Sequence, residues 1–317
     1  MSKLIMKKWM MAVLTVALVF SLAACGGENP GNSPAANGAN SGNGDGGNNA
    51  GGEAASGTLA EAQAAGVISV GFANEKPYAY LDEDNQLRGE APDIARAVLA
   101  ELGIDEIDSQ LLEFGQLIGG LNASRYDIIT AGMYVNPDRC AQVIFAEPEY
   151  RMGEAMAVKA GNPKDIRSYE DVAANPDVKI AVMTGAIEIQ YLKDAGAADN
   201  QIVEVPDQPT AISALQSGQV DGVTMTYMSL MNMLESAGDD NLERVEDFEQ
   251  PKDEDGNEIW GYGAAAFRPA DTDLRDAYNE GLQQLKESGK LLEILLDNGF
   301  AEEHLPGDIT TAELCGN

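Results

Sequence analysis

The sequence predicts an α/β protein of two similar lobes, each built on a mixed, mostly parallel sheet, with two hinge strands passing between them. Three observations carry this reading. Short β-rich runs alternate with amphipathic helical runs, the order that gives parallel sheets. The alternation occurs twice along the chain, and one pattern recurs in both halves: Leu117-Ile-Gly-Gly-Leu-Asn-Ala-Ser-Arg-Tyr-Asp127 against Ala211-Ile-Ser-Ala-Leu-Gln-Ser-Gly-Gln-Val-Asp221. Each copy reads as a helix, a turn and a strand that opens on Asp, so a cleft is expected between two like halves.

In the first half, Val67-Ile-Ser-Val-Gly-Phe72 predicts a strand, and Ile94, Ala97, Val98 and Leu102 line one face of a helix over residues 93–102. A strand over 111–114, a helix over 117–123 and a strand over 126–130 follow. After the turn Gly161-Asn-Pro163, strands over 179–183, 202–205 and 220–225 alternate with helices over 185–192 and 210–217. The extended, small-residue segments 154–159 and 261–267 flank this second half and are expected to be the hinge strands. Helices over 274–286 and 291–296 then return to the first lobe, giving lobe 1 as 58–156 with 265–317 and lobe 2 as 157–264.

Residues 1–25 read as an address. Lys3, Lys7 and Lys8 precede an apolar run from Trp9 to Phe20, and Leu22-Ala-Ala-Cys25 closes it. Small residues before a cysteine resemble a bacterial lipoprotein signal, which implies a lipid on Cys25 and a membrane-anchored, extracytoplasmic protein. The run is shorter than the ~20 residues a membrane span needs. Residues 26–57 are Gly, Asn, Ala and Ser with almost no aliphatic side chain, a composition expected of a flexible tether.

The formal charge of −32 makes nucleic acid and anionic lipid surfaces poor partners. No phosphate-binding GxxxxGK[ST] loop occurs, so the chain is not a transporter's ATPase. With Cys25 carrying lipid, Cys140 and Cys315 remain in a disulfide-permissive compartment; a bridge between them is the economical reading, free thiols the alternative. His304 is the only histidine and no Cys/His spacing suits a metal, so neither metal nor cofactor is implied.

Two segments carry chemistry. Ala73-Asn-Glu75-Lys-Pro-Tyr78 and Met133-Tyr-Val-Asn-Pro-Asp-Arg139-Cys140 each set an aromatic ring and one charge, of opposite sign, beyond a predicted strand. A guanidinium grips a carboxylate through paired hydrogen bonds, while ring faces and carboxylates receive a delocalised cation. A pocket for a small zwitterion needs both.

The Asn-Glu-x-Pro-Tyr78 segment, Gly-x-Ala-Pro-Asp93, the repeated helix-to-Asp pattern and Ser-Gly-Lys290 together resemble the type II solute-binding proteins of ABC importers, polar amino acid branch, over residues 58–317. Within that group, Gly-Glu-Ala-Pro-Asp93, Thr-Ala-Gly-Met-Tyr134, Asn-Pro-Asp-Arg-Cys140, Gly-Glu-Ala155, Lys-Ala-Gly-Asn-Pro163, Gly-Tyr-Gly-Ala264 and Leu-Cys315 are similar to the ectoine and hydroxyectoine receptors. The resemblance implies a periplasmic-binding-protein type II fold and a monomer that passes its solute to a membrane permease. It also implies Glu75 and Glu188 on the ligand's amidinium edge, Tyr78, Phe114 and Tyr134 as aromatic walls, and Arg139 on its carboxylate. Asp138 stands where many amino acid receptors of the branch carry Thr or Ser, and Ile187 where a polar residue is expected. A polar amino acid such as glutamine or arginine is the alternative ligand. A dehydratase-like enzyme would need a carboxyl with a raised pKa, for which two glutamates beside Arg139 give no clear reason.

Overall fold

The computed structural model describes residues 57–253 and 255–316. The leader, Cys25 and the tether up to residue 56 lie outside them. In chain order the strands of the two main sheets are β1 (Val67–Phe72), β2 (Glu106–Leu111), β3 (Ile128–Ile129), β4 (Ile144–Phe145), β5 (Glu154–Lys159), β6 (Ile180–Met183), β7 (Ile202–Val205), β8 (Gly222–Thr226), β9 (Leu242–Arg244) and β10 (Ala266–Phe267). They form a first sheet in the order β2-β1-β3-β10-β4 and a second in the order β7-β6-β8-β5-β9. Each sheet has one reversed strand in the same place, β10 in the first and β5 in the second, antiparallel to both neighbours. The remaining pairs are parallel. The two lobes therefore share one topology.

Both sheets are covered on both faces, as parallel sheets must be. Neighbouring residues on one strand serve opposite cores: Ile128 joins the cluster with Ile68, Ile94, Val98 and Leu282, whereas Ile129 joins that of Leu117, Leu121 and Phe145. In the second sheet Ala155 and Ala157 face one core, Met156 and Val158 the other. Helices Thr272–Ser288 and Lys290–Asp297 pack their apolar stripes into the first of these cores, with Leu274, Tyr278, Leu291 and Leu295 fully enclosed.

The repeated Asp has a repeated job. Asp127 accepts the Ser69 N–H (3.2 Å) and returns its own N–H to the Ser69 carbonyl (2.9 Å). Asp221 does the same with Lys179, at 2.9 and 2.8 Å. Each one ties the central strand of its sheet to the neighbouring strand, at Ser69 within β1 and at Lys179 just before β6.

Three expectations need correction. Segment 154–159 is β5, inside the second sheet, because its side chains are buried on both faces and a free-standing hinge strand could not cover them. The crossing is instead a two-stranded ribbon, Tyr150–Met152 paired with Gly261–Gly263, and residues 266–267 belong to the first sheet. Gly261 is dictated by packing, since a Cβ there would overlap the Tyr134 ring. The strand expected over 111–114 is Glu106–Leu111, an outer strand whose residues are all half-buried or exposed and so lack the apolar run of an inner strand. Phe114 instead opens a short 3₁₀ turn into helix Leu117–Asn122. Helix Glu90–Glu101 starts before the expected residue 93, with Pro92 tolerated in a first turn whose N–H groups have no helical partner.

Cys140 and Cys315 are joined, with Cα atoms 5.8 Å apart. The bridge fastens the C-terminal helix Thr311–Leu314 to the short helix Pro137–Cys140 that carries Arg139. Thiol titration of the unfolded, unreduced domain should find neither cysteine reactive, and two titratable thiols would contradict the bridge. Because 175 residues separate the pair, reduction should lower stability by up to about 5 kcal/mol.

Candidate ligand-binding cleft

The ends of the strands in the two lobes face one another across a cavity lined by Glu75, Tyr78, Phe114, Tyr134, Arg139 and Glu188 from the sequence reading. Residues that reading missed complete the wall, among them Gln208, Thr224 and Thr226. Only ≈ 30 Å³ of free volume remains at its centre, because the lobes have closed over it.

Closure is visible in hydrogen bonds between the lobes. The Glu75 carboxylate accepts from Gln208 Nε2 (2.7 Å) and from Ser229 Oγ (2.9 Å), and the Tyr78 hydroxyl donates to Thr226 Oγ1 (2.9 Å). Arg139 donates through one terminal nitrogen to the Tyr134 carbonyl in its own lobe (2.7 Å) and through the other to the Gly185 carbonyl opposite (3.0 Å). Its guanidinium also lies 5.5 Å from the centre of the Phe114 ring. Among the described residues these two bonds engage two of its five guanidinium N–H groups. At the lip the backbones touch: Gly185 has φ +81°, and a Cβ there would come within 2.6 Å of Gly115 Cα. Only glycine allows that approach.

Local sequence sets these positions. Asn136 caps helix Pro137–Cys140 by accepting the Arg139 N–H (2.8 Å), and Pro137 pre-sets its first turn, which turns Arg139 inward. Glu188 opens helix Glu188–Asp194, where the helix dipole favours its charge. Tyr78 stacks at 5.1 Å on Tyr150 and meets Phe300 edge-on, so one of its faces is committed to the core. Phe114 and Tyr134 are 8% and 4% exposed, and both line the cavity. Ile187 also lines it, an apolar side chain where a polar one was expected.

The electrostatics centre on burial. Burial is the largest influence on Glu75 and, with the nearby Glu188, raises its pKa to about 7, against the lowering effects of Ser229, Gln208 and Arg139. Burial also raises Glu188, which Arg139 and a backbone hydrogen bond partly restrain. The expectation that no carboxyl here would be shifted upward therefore fails: two glutamates beside one arginine become shifted once the cleft removes them from water.

Gln208 could have been found from the repeat. Aligning the two copies sets Phe114 against Gln208, and Gly132 against Thr226, and all four line the cavity. Ser229 carries no such signal; it is brought in by the helix Tyr227–Ala237 that follows β8.

A two-lobed α/β molecule whose facing strand ends enclose a charged, aromatic-walled cavity is built to hold a small solute. The chain belongs to the bacterial extracellular solute-binding proteins, family 3, whose pattern matches residues 68–297. It is 36% identical over 264 residues to a probable amino-acid ABC transporter periplasmic-binding protein, y4tE, of Sinorhizobium fredii, covering 82% of this chain and 86% of that one. It is 25% identical to the L-cystine-binding protein TcyA of Bacillus subtilis, over 91% and 96% of the two chains. Among solved structures it resembles EhuB in complex with hydroxyectoine, with a TM-score of 0.75 and 34% identity over 81% of this chain and 97% of that one. It also resembles an ancestral arginine-binding protein bound to arginine, with a TM-score of 0.63 and 26% identity over 73% and 97%.

The raised Glu75 pKa gives stability a definite pH dependence. Below about pH 4.5 Glu75 is protonated both folded and unfolded; between there and about 7 the unfolded chain releases its proton first, so stability falls as pH rises through that window. Glu75→Gln should abolish this part of the loss, on the order of 3 kcal/mol. Its Tm should therefore gain on that of the parent between about pH 4 and pH 8, and a gap that stays constant would show that Glu75 is ionised throughout.

Proposed function

We propose that this protein is an extracytoplasmic solute-binding lipoprotein, anchored through Cys25, that captures ectoine or hydroxyectoine and delivers it to the permease of an ABC importer. One observation carries the reading: a single cavity sets one guanidinium, Arg139, against two buried carboxyls, Glu75 and Glu188, between Tyr78, Phe114 and Tyr134. Ectoine is a cyclic amidinium carboxylate whose positive charge is spread over N–C–N. Such a flat, weakly hydrated cation costs less to desolvate than a compact ammonium and gains roughly 0.5–2 kcal/mol per aromatic contact. Its carboxylate suits the Arg139 guanidinium, two of whose five N–H groups bond to backbone carbonyls among the described residues. The likeness to EhuB in complex with hydroxyectoine supports the same ligand class.

In this reading Arg139 and Glu75 bind the solute in lobe 1, and lobe 2 brings Glu188 up when the cleft closes, so affinity and closure are linked. We take the receptor to act as a monomer.

A second reading, a polar amino acid, is favoured by the likeness to the arginine-bound ancestral protein, since two carboxyls could equally take a guanidinium. An enzymatic reading has the raised carboxyl it requires, and the fold is shared with an ancestral amino-acid-binding protein described as a precursor of cyclohexadienyl dehydratase (TM-score 0.65, 26% identity). We favour binding because the named relatives are solute-binding proteins.

A thermal-shift panel of ectoine, hydroxyectoine, arginine, glutamine and cystine separates these readings, since a ligand at 100 times its Kd adds roughly 2.7 kcal/mol. Ectoine or hydroxyectoine should give the largest shift, and mass spectrometry should recover it unchanged. Phe114→Leu and Tyr134→Leu should each cost roughly 0.5–2 kcal/mol of ectoine binding, the loss of the ring–cation contact. A dominant shift with arginine or a changed ligand mass would overturn the proposal.

A further inference from the structure

Glu154 opens β5 immediately beyond the crossing ribbon, and it does not line the cavity. It is 3% exposed, and among the described residues no N–H or hydroxyl donor reaches either carboxyl oxygen. Its backbone is held from both sides by Gln250. The Glu154 N–H donates to Gln250 Oε1 (2.7 Å), and its carbonyl accepts from Gln250 Nε2 (2.9 Å).

Its carboxyl meets the carboxyl of Glu188 in a side-chain contact. Two ionised carboxylates cannot hydrogen-bond to each other; a contact of this kind requires a proton between them. The surroundings decide which group keeps it. Glu188 starts a helix, receives a backbone N–H and faces Arg139, all of which favour its anion. Glu154 has no donor of its own and is opposed by the charges of both Glu188 and Glu75.

We propose that Glu154 is a positioning residue: a neutral carboxylic acid that donates its proton to Glu188 and holds that carboxylate aimed into the cavity. This rests on the reading above, in which Glu188 meets the cationic edge of the solute. It explains how a third glutamate can be buried beside the other two without adding a third negative charge.

Losing the proton would set two anions side by side and push Glu188 out of place. The charged and titratable groups facing Glu154 are Glu75, Glu188, Arg139, Tyr78, Tyr134, Tyr169 and Tyr191. Burial moves all four tyrosines up, away from neutrality. Glu75, at about 7, governs the acid side. Glu154, raised well above the usual carboxylate value by burial, governs the alkaline side.

Two measurements test this. In the ligand-free protein at about pH 7, the infrared difference spectrum of the parent minus Glu154→Gln should contain the carbonyl stretch of a protonated carboxylic acid; no such band would overturn the proposal whatever the ligand is. In ectoine titrations, Glu154→Gln should bind within about threefold of the parent at pH 7, because its amide can donate as the acid does, and should hold that affinity at alkaline pH where the parent weakens as Glu154 loses its proton. Glu154→Met should be weaker by about tenfold at pH 7, having no donor. A Glu154→Gln variant that loses affinity with the parent at high pH, or a Glu154→Met variant that binds normally, would overturn it. If the parent binds no ectoine at any pH, it is the solute assignment that fails, and the infrared result still decides the state of Glu154.

Discussion

The closed cleft is governed by uncompensated negative charge. Glu75 and Glu188 are 7% and 3% exposed and face one guanidinium, itself already bonded to two carbonyls. Removing two carboxyls from water against one positive charge is costly, and the structure reduces the cost in two ways: donors from Gln208 and Ser229 on Glu75, and upward shifts in pKa. A bound cation would do the same more fully. Closing the cleft and accepting a cationic group are thus favourable together and unfavourable apart, the thermodynamic coupling a capture protein needs.

The architecture delivers these groups by repetition. Each lobe ends its strands at the cleft, and corresponding positions in the two sequence copies line opposite walls: Phe114 with Gln208, Gly132 with Thr226. Function has diverged within that symmetry. The first lobe contributes Tyr78, Phe114, Tyr134 and Arg139 from its strand ends and following turns; the second contributes Glu188 and donors for Glu75. The disulfide strengthens the less repetitive part, since it anchors the turn that carries Arg139 to the far end of the chain.

Much of the fold was legible because its signals are local and repeated. The alternation of elements and the Leu117–Asp127 echo fixed the class, and each Asp now has a visible partner in Ser69 or Lys179. Of the two expected hinge strands, 261–267 supplies Gly261–Gly263 to the ribbon, whereas 154–159 was misplaced because small, extended residues look alike whether they sit in a ribbon or inside a sheet; burial of Met156 and Val158 on one face and Ala155 and Ala157 on the other decides it, and burial is a property of the assembled sheet. The outer strand was misplaced for the converse reason, since an exposed edge tolerates Glu106 and Asp108 and hides its own signal. All six candidate residues meet at one cavity, because charges and rings at strand ends converge whenever the strands are parallel. Glu154 and Ser229 were not legible, as neither has a spacing that distinguishes it from an ordinary residue of its element. The upward shift of Glu75 escaped for the same reason: it arises from the closing of one lobe over the other, which no local pattern encodes.

The central claim is that one buried cavity holds a zwitterion by its two ends, and a crystal structure of the protein with ectoine tests it most directly. The account predicts the carboxylate on the Arg139 guanidinium, the N–C–N edge turned toward Glu75 and Glu188, and the ring among Tyr78, Phe114 and Tyr134. A ligand whose carboxylate sits away from Arg139, or whose cationic edge faces neither glutamate, would contradict it.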